Sequence, residues 1–304
     1  MISKLRYLVT GLEGQVVRSL IEQCSRPEYN LIELIPVGRP VLDLEQLDTI
    51  KSTVDDIKPD LIISAAAYTA VDQAESNEET ARRVNALGPR ALAESATSRN
   101  IPIVHLSTDY VFDGTKSAPY VESDPVGPVS AYGRTKLEGE RYLLETTHNV
   151  VILRTAWVYS PFGKNFAKTM LRVGETCDAL NIVADQIGNP TSALDIADGV
   201  LKVACNLIES SAPHLRGVFH MSGQGDASWA DFAAEIFRIS AANGGPTAGV
   251  GHISTVDYPT PAKRPANSRL NSGALRTTHG VQLPPWQDST QNMIKRLVAT
   301  RSYL

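Results

Sequence analysis

Tyr132 and Lys136 stand four residues apart in the segment Ala131-Tyr132-Gly133-Arg134-Thr135-Lys136. On a helix, that spacing puts a phenol and an ammonium on one face. A phenol ordinarily titrates near pH ~10, and a fixed positive charge beside it favours loss of its proton. The pair would therefore move a proton to or from a substrate oxygen at neutral pH. Chance alone supplies roughly 0.3 such pairs in a chain of 304 residues with ten tyrosines and ten lysines. The surroundings must give the spacing its meaning. The apolar run Ile101–Ser107 leads into Thr108-Asp109-Tyr110-Val111-Phe112, which places hydroxyls at the end of an expected strand. Thr108 there either hydrogen-bonds a substrate carbonyl or caps the strand, and Lys136 either serves Tyr132 and a nicotinamide ribose or is an ordinary helix lysine. Together the three form a Thr/Tyr/Lys set.

A second set of residues suits phosphate. Thr10-Gly11-Leu12-Glu13-Gly14-Gln15-Val16-Val17 joins an expected strand, Leu5–Thr10, to an expected helix, Gln15–Cys24. Two glycines three apart permit a tight turn and let backbone approach a pyrophosphate at the helix N-terminus. A plain βα turn would also use glycine. Val17 occupies the third position of the Gly-x-x-Gly-x-x-Gly pattern, which predicts a slightly displaced helix with the phosphate contact kept. Gly38-Arg39 follows the next strand, where a ribose hydroxyl or a 2′-phosphate is read. Arg39 either pairs with the 2′-phosphate of NADPH or is a solvated surface arginine. Asp43 and Leu44 either flank an adenine or cap a loop.

These residues need a scaffold that brings strand ends together. Short apolar runs at Leu5–Thr10, Ile32–Val37, Leu61–Ala66, Ile101–Ser107 and Val150–Arg154 alternate with helical patterns at Gln15–Cys24, Ala74–Asn100 and Ala131–Thr146. The second helical pattern is interrupted at Gly88-Pro89. Such alternation implies βαβ units and a parallel sheet whose ligands bind at the strand C-termini. Beyond Thr155 the pattern loosens. Strands are expected at Leu180–Val183 and Gly217–Met221, helices at Leu194–Leu207 and Trp229–Ala241, and a linker-like stretch at Ala241–Gly251. The fold class is α/β, a Rossmann-type doubly wound parallel sheet with a smaller C-terminal substrate-binding lobe. Residues 1–155 form the NAD(P)-binding part, 193–220 pack back on it, and 156–304 mainly form the lobe.

An apolar fraction of 42% and a charged fraction of 20% are those of an ordinary globular chain. A net charge of −4 argues against a polyanion-binding surface and leaves room for a local anion pocket. Cys24, Cys177 and Cys205 are isolated and lack metal-type spacing, which points to a reducing compartment. Met1–Arg6 has no signal-peptide apolar segment and no run approaches ~18 apolar residues, so a cytoplasmic enzyme without membrane or nucleic-acid partners is expected.

The chain resembles the extended short-chain dehydrogenases, and among them the dTDP-4-dehydrorhamnose reductase family. The segments that carry the resemblance span nearly the whole sequence. In the first half they are Gly11-x-x-Gly14-Gln15, Ala65-Ala66-Ala67-Tyr68-Thr69-Ala70-Val71-Asp72, Ser107–Phe112 and Tyr132–Lys136. Arg154-Thr155-Ala156-Trp157-Val158-Tyr159, Asn165-Phe166-Ala167-Lys168-Thr169-Met170, Asp185–Thr191 and Tyr258–Pro265 follow. The Asn165, Asp185 and Tyr258 segments are the more specific. The resemblance implies NAD(P)H-dependent reduction of the C4 ketone of a dTDP-4-dehydro sugar; Arg39 tilts the expectation to NADPH, with NADH as the alternative. It assigns catalysis to Thr108, Tyr132 and Lys136, and the cofactor to Gly11, Gly14, Gln15, Val16, Asp43, Leu44 and Ala65, Ala66 and Ala67, with Arg39 added on its own chemistry. Asp109 and Trp157 would meet the sugar; Asn165, Lys168, Gln186 and Arg264 would line the nucleotide side. A lone aromatic such as Trp157 would otherwise be core, and Trp229 stays unassigned. Some family members hold magnesium through carboxylates at a dimer interface. Ser19 and Leu194 stand at two of those positions and cannot ligate it. No metal is therefore expected, and the chain is expected to be a monomer or weak homodimer. A ketoreductase or epimerase on another nucleotide sugar, or a non-catalytic regulatory homologue, are the alternatives.

Overall fold

The computed structural model describes residues 4–303. Strand β1 (Leu5–Thr10) pairs in parallel with β2 (Ile32–Val37) on one side and β3 (Leu61–Ser64) on the other. Next to β3 come β4 (Ile103–Thr108), β5 (Val150–Thr155) and finally the strand Gly217–His220, all parallel. Helices cover both faces of this six-stranded sheet. Tyr7, Val9, Ile63, Val104 and Leu106 pack with residues of the helices Gln15–Cys24 and Ala193–Glu209. Their neighbours Leu8, Ile62, Ile103 and Ile152 face Ile50, Val54, Leu92 and Leu143 of the helices on the other side. Burial on both faces explains why the strands read as unbroken apolar runs. The chain reverses direction at β1, since β2 and β3 lie on opposite sides of it. The crevice at that switch point is where ligands of open α/β sheets bind.

A second core sits beyond the carboxyl edge of the sheet. The helices Phe166–Val173, Trp229–Ala242 and Trp286–Thr300 meet there through Met170, Leu171, Phe232, Phe237, Ile294 and Leu297. The parallel strand pair Ala179–Val183 and Gly249–Ile253 flanks them.

Three elements differ from the sequence reading. The glycine-rich end of Ala241–Gly251 is not a linker, because Gly249–Ile253 is a paired strand. The pattern Ala74–Asn100 breaks at 75–77 and again through a π-helical turn, Arg83–Leu87, while Gly88-Pro89 opens a regular helix, Gly88–Thr97. Pro89 has no N–H for the Asn85 carbonyl, so the turn before it widens. That carbonyl instead sits against Gly139, where a side chain would overlap it. The helix Leu47–Ile57 is new to the reading; its buried stripe is only Ile50, Thr53 and Val54. Among the described residues no helix is long and apolar enough to cross a membrane.

Candidate active site

The last residue of β4 starts the site. Thr108 Oγ1 accepts from the Tyr110 amide (3.2 Å) and donates to Asp109 Oδ1 (3.0 Å), so the strand ends in a short turn. Asp109 is almost fully buried, and its Oδ2 has no hydrogen-bond partner among the described residues. Burial pushes its carboxyl up to about 6, against the pull of hydrogen bonds from Ser268 and Thr108.

The helix Ala131–Thr146 begins at Ser130, whose Oγ accepts from the Gly133 amide at 3.2 Å. A side chain at Gly133 would overlap the Tyr110 carbonyl. Glycine thus lets the first turn lie against the end of β4, with the Tyr132 ring edge-on to Tyr110 at 5.5 Å. One turn later Lys136 is buried at 2% exposure, with Nζ donating to the Leu106 carbonyl at 2.7 Å and lying 3.1 Å from His105 Nε2. Burial draws its pKa down to about 8, opposed by Glu140. Tyr132 moves the other way: burial, then the Asp109 charge, raise its phenol, while a hydrogen bond with Thr108 lowers it. The expectation of a phenol drawn down by lysine is corrected here, because burial is the largest influence on the ring and the Asp109 charge adds to it. Tyr132 keeps its proton and is suited to donate it.

Thr108, Asp109, Tyr132 and Lys136 line a cleft of about 700 Å³ between the sheet edge and the second core. Gly11, Gly14, Gln15 and Val16 form one wall, and Ala65, Ala66 and Ala67 adjoin it. Gly11 has φ +101°, a conformation that side-chain-bearing residues rarely adopt. Val17, in place of the third glycine, is buried with Cγ2 3.4 Å from where a Gly11 Cβ would stand. Thr10 Oγ1 accepts from the amides of both Ala65 and Ala66 at 3.0 Å, which ties the loop after β3 to the glycine turn. A smaller cleft of about 450 Å³ shares Gly11, Ala66 and Ala67 and is lined by Arg39, Asp43 and Leu44. Asp43 also caps its own loop, accepting from the Glu45 amide at 3.0 Å. Arg39 is exposed and has neither hydrogen-bond partner nor ion pair among the described residues.

The far wall comes from the second half of the chain. Trp157 has φ +47° and stacks on Trp229 at 3.6 Å, both rings lining the cleft. Trp229, unassigned from the sequence, gains its position from Ser228 capping its helix, a feature that does not itself mark a ligand wall. Gln186 stands behind it, accepting from Trp229 Nε1 and donating to Thr255, and does not line the cleft. Lys168 also lies off the walls; the exposed Lys164 lines them instead. Asn165 lines the cleft, caps its helix and donates to Gln15 Oε1 at 3.1 Å, so the glycine loop and this lobe are joined. Arg264 lines the cleft and pairs with Asp72 at 2.8 Å. Ser19 is buried and donates to the Gln15 carbonyl. Among the described residues no group of three or more His, Cys, Asp or Glu side chains is placed to hold a metal ion.

A glycine turn at β1, a second cleft beyond β2, and a Tyr/Lys helix face at the end of β4 define an extended short-chain dehydrogenase/reductase. Comparison with known proteins narrows this. Residues 5–299 match the family model of the RmlD substrate binding domain, and the chain belongs to that family. A dTDP-4-dehydrorhamnose reductase of Sinorhizobium fredii is 49% identical over 294 residues, covering 97% of this chain and 98% of the relative. The crystal structure of a dTDP-4-dehydrorhamnose reductase from Clostridium acetobutylicum superposes with a TM-score of 0.88 at 39% identity, covering 96% of this chain and 99% of that one. That of Bacillus anthracis, solved in complex with NADP, gives 0.88 at 34% identity with the same coverage.

Proposed function

We propose that this chain reduces the C4 ketone of dTDP-4-dehydro-β-L-rhamnose to dTDP-β-L-rhamnose, with NADPH ahead of NADH as reductant. The observation that carries this reading is the convergence of Thr108, a proton-holding Tyr132 and a buried Lys136 at one end of a cleft continuous with the glycine turn. The cofactor fits the residues present: the turn at Gly11 and the free amides at the start of the Gln15–Cys24 helix suit a pyrophosphate, and unpaired Arg39 suits a 2′-phosphate. When bound, it supplies the hydride.

The remaining chemistry belongs to the chain. A ketone that accepts hydride gains negative charge on oxygen, and pre-placed donors stabilise that charge most in the transition state. Tyr132 delivers its proton to that oxygen. Thr108 turns its hydroxyl from Asp109 to the ketone and holds it in place. Lys136 keeps a positive charge beside the phenol and favours the phenolate left behind. Asp109 and the Trp157/Trp229 stack meet the sugar. Lys164 and Arg264 face the diphosphate, with residues 156–304 mainly forming this side and 1–155 with 193–220 the cofactor side. We read the working unit as a monomer or weak homodimer acting in the cytoplasm. Tyr132→Phe tests the assignment: turnover should fall about a hundredfold or more, while NADPH binding is retained. An unchanged rate would refute the role of the phenol.

A further inference from the structure

His105 is fully buried on β4, three residues before Thr108, and the chemistry above leaves it unused. It faces the Ala131–Thr146 helix, where its Nε2 lies 3.1 Å from Lys136 Nζ; its Nδ1 lies 3.0 Å from Ser64 Oγ on β3. An ammonium has donors only, so Nε2 must accept and the ring proton must sit on Nδ1, facing Ser64. The ring is neutral, because burial and then the Lys136 charge hold its pKa well below the ordinary value. Lys136 gives a second N–H to the Leu106 carbonyl at 2.7 Å. Of three ammonium hydrogens, one has no partner among the described residues, and Lys136 lines the cleft.

The other charged groups nearby do not take that hydrogen. Glu140, one turn further along the helix, is held by Arg154 of β5 at 2.6 Å and by Ser107 at 2.5 Å. Asp109, after β4, bonds to Thr108, and Tyr132 lies on the same helix face as the lysine. We propose that His105 is a positioning residue: as a neutral acceptor it aims the one free N–H of Lys136 into the cleft without neutralising its charge. The proposal rests on the reading of Lys136 given above. A carboxylate in its place would capture the ammonium in an ion pair. An apolar ring would leave a buried ammonium short of an acceptor and favour its uncharged form.

The test is the pH profile of kcat/KM for NADPH, which reports groups of the free enzyme, in four variants. His105→Phe removes the acceptor. Turnover should fall about tenfold, and the alkaline limb should move down by about one pH unit, because a depressed lysine pKa falls further. His105→Gln puts an amide oxygen near the Nε2 position and should turn over faster than the Phe variant, with the limb returned toward its original place. His105→Asn places its amide near Nδ1 and should not. Lys136→Met serves as control, with thermal melts for every variant. A wild-type rate and limb in His105→Phe, with Lys136→Met inactive, would overturn the role of His105 and leave that of Lys136 standing. An active Lys136→Met would instead remove the lysine reading. Where the Phe variant does not fold, identical profiles for Gln and Asn overturn the proposal.

Discussion

Replacing Asp109 with asparagine should make the protein more stable at neutral pH and less active. The carboxyl is buried, its Oδ2 is unpartnered among the described residues, and its pKa is raised from 3.8 to about 6. The native value lies above the unfolded one, so the folded chain holds this proton to higher pH. The stability is fully present below pH ~4, where the carboxyl is protonated in both states, and is lost as the pH rises through about 6. Each pKa unit is about 1.4 kcal/mol, so a charged Asp109 costs about 3 kcal/mol above pH ~7. Asparagine keeps an oxygen for the Thr108 hydroxyl and removes the buried charge. Urea unfolding of wild type and Asp109→Asn between pH ~4.5 and ~8 measures the difference, and groups common to both cancel. The asparagine variant should gain up to about 3 kcal/mol at the alkaline end and about 1 kcal/mol at pH ~4.5. A loss of stability at pH ~8, or a gap that does not change with pH, would refute the reasoning. The unpaired oxygen in the cleft wall is the atom that the proposed contact with the sugar would use.

Two further outcomes follow from the geometry. Arg39→Ala should lower the NADPH to NADH preference in kcat/KM about tenfold, the worth of one exposed charge-assisted contact to a phosphate; an unaltered ratio would remove Arg39 from cofactor choice. Gly139→Ala forces a methyl onto the Asn85 carbonyl and should destabilise by about 3 kcal/mol in denaturant unfolding, with KM and kcat per folded molecule altered because Asn85 also bonds to Tyr68 and Thr135. A variant as stable as wild type would show that the π-helical turn can shift freely.

Local features were the legible ones. The Tyr132/Lys136 face depends only on a helical period, and the glycine turn only on a strand followed by a helix. The parallel sheet followed from alternating elements whose apolar runs are buried on both faces; the order of its strands did not. What escaped depends on distant partners. Lys168 and Lys164 are both lysines in one short segment, and only the packing of the loop on Gln15 decides which faces the cleft. Gln186 reads as a polar contact until Trp229 is seen to stand in front of it. His105 lies in a strand and reads as core, and its meaning appears only when the helix lysine reaches it. The rise in the Tyr132 pKa was hidden for the same reason, since burial cannot be read from the spacing that suggests a nearby cation.

The central claim is most directly tested by mixing purified protein with dTDP-4-dehydro-β-L-rhamnose and NADPH and following the absorbance of the reduced nicotinamide. The account predicts substrate-dependent oxidation of NADPH with one dTDP-β-L-rhamnose formed per cofactor consumed. Loss of neither cofactor nor ketone, with NADPH shown to be bound, would contradict it.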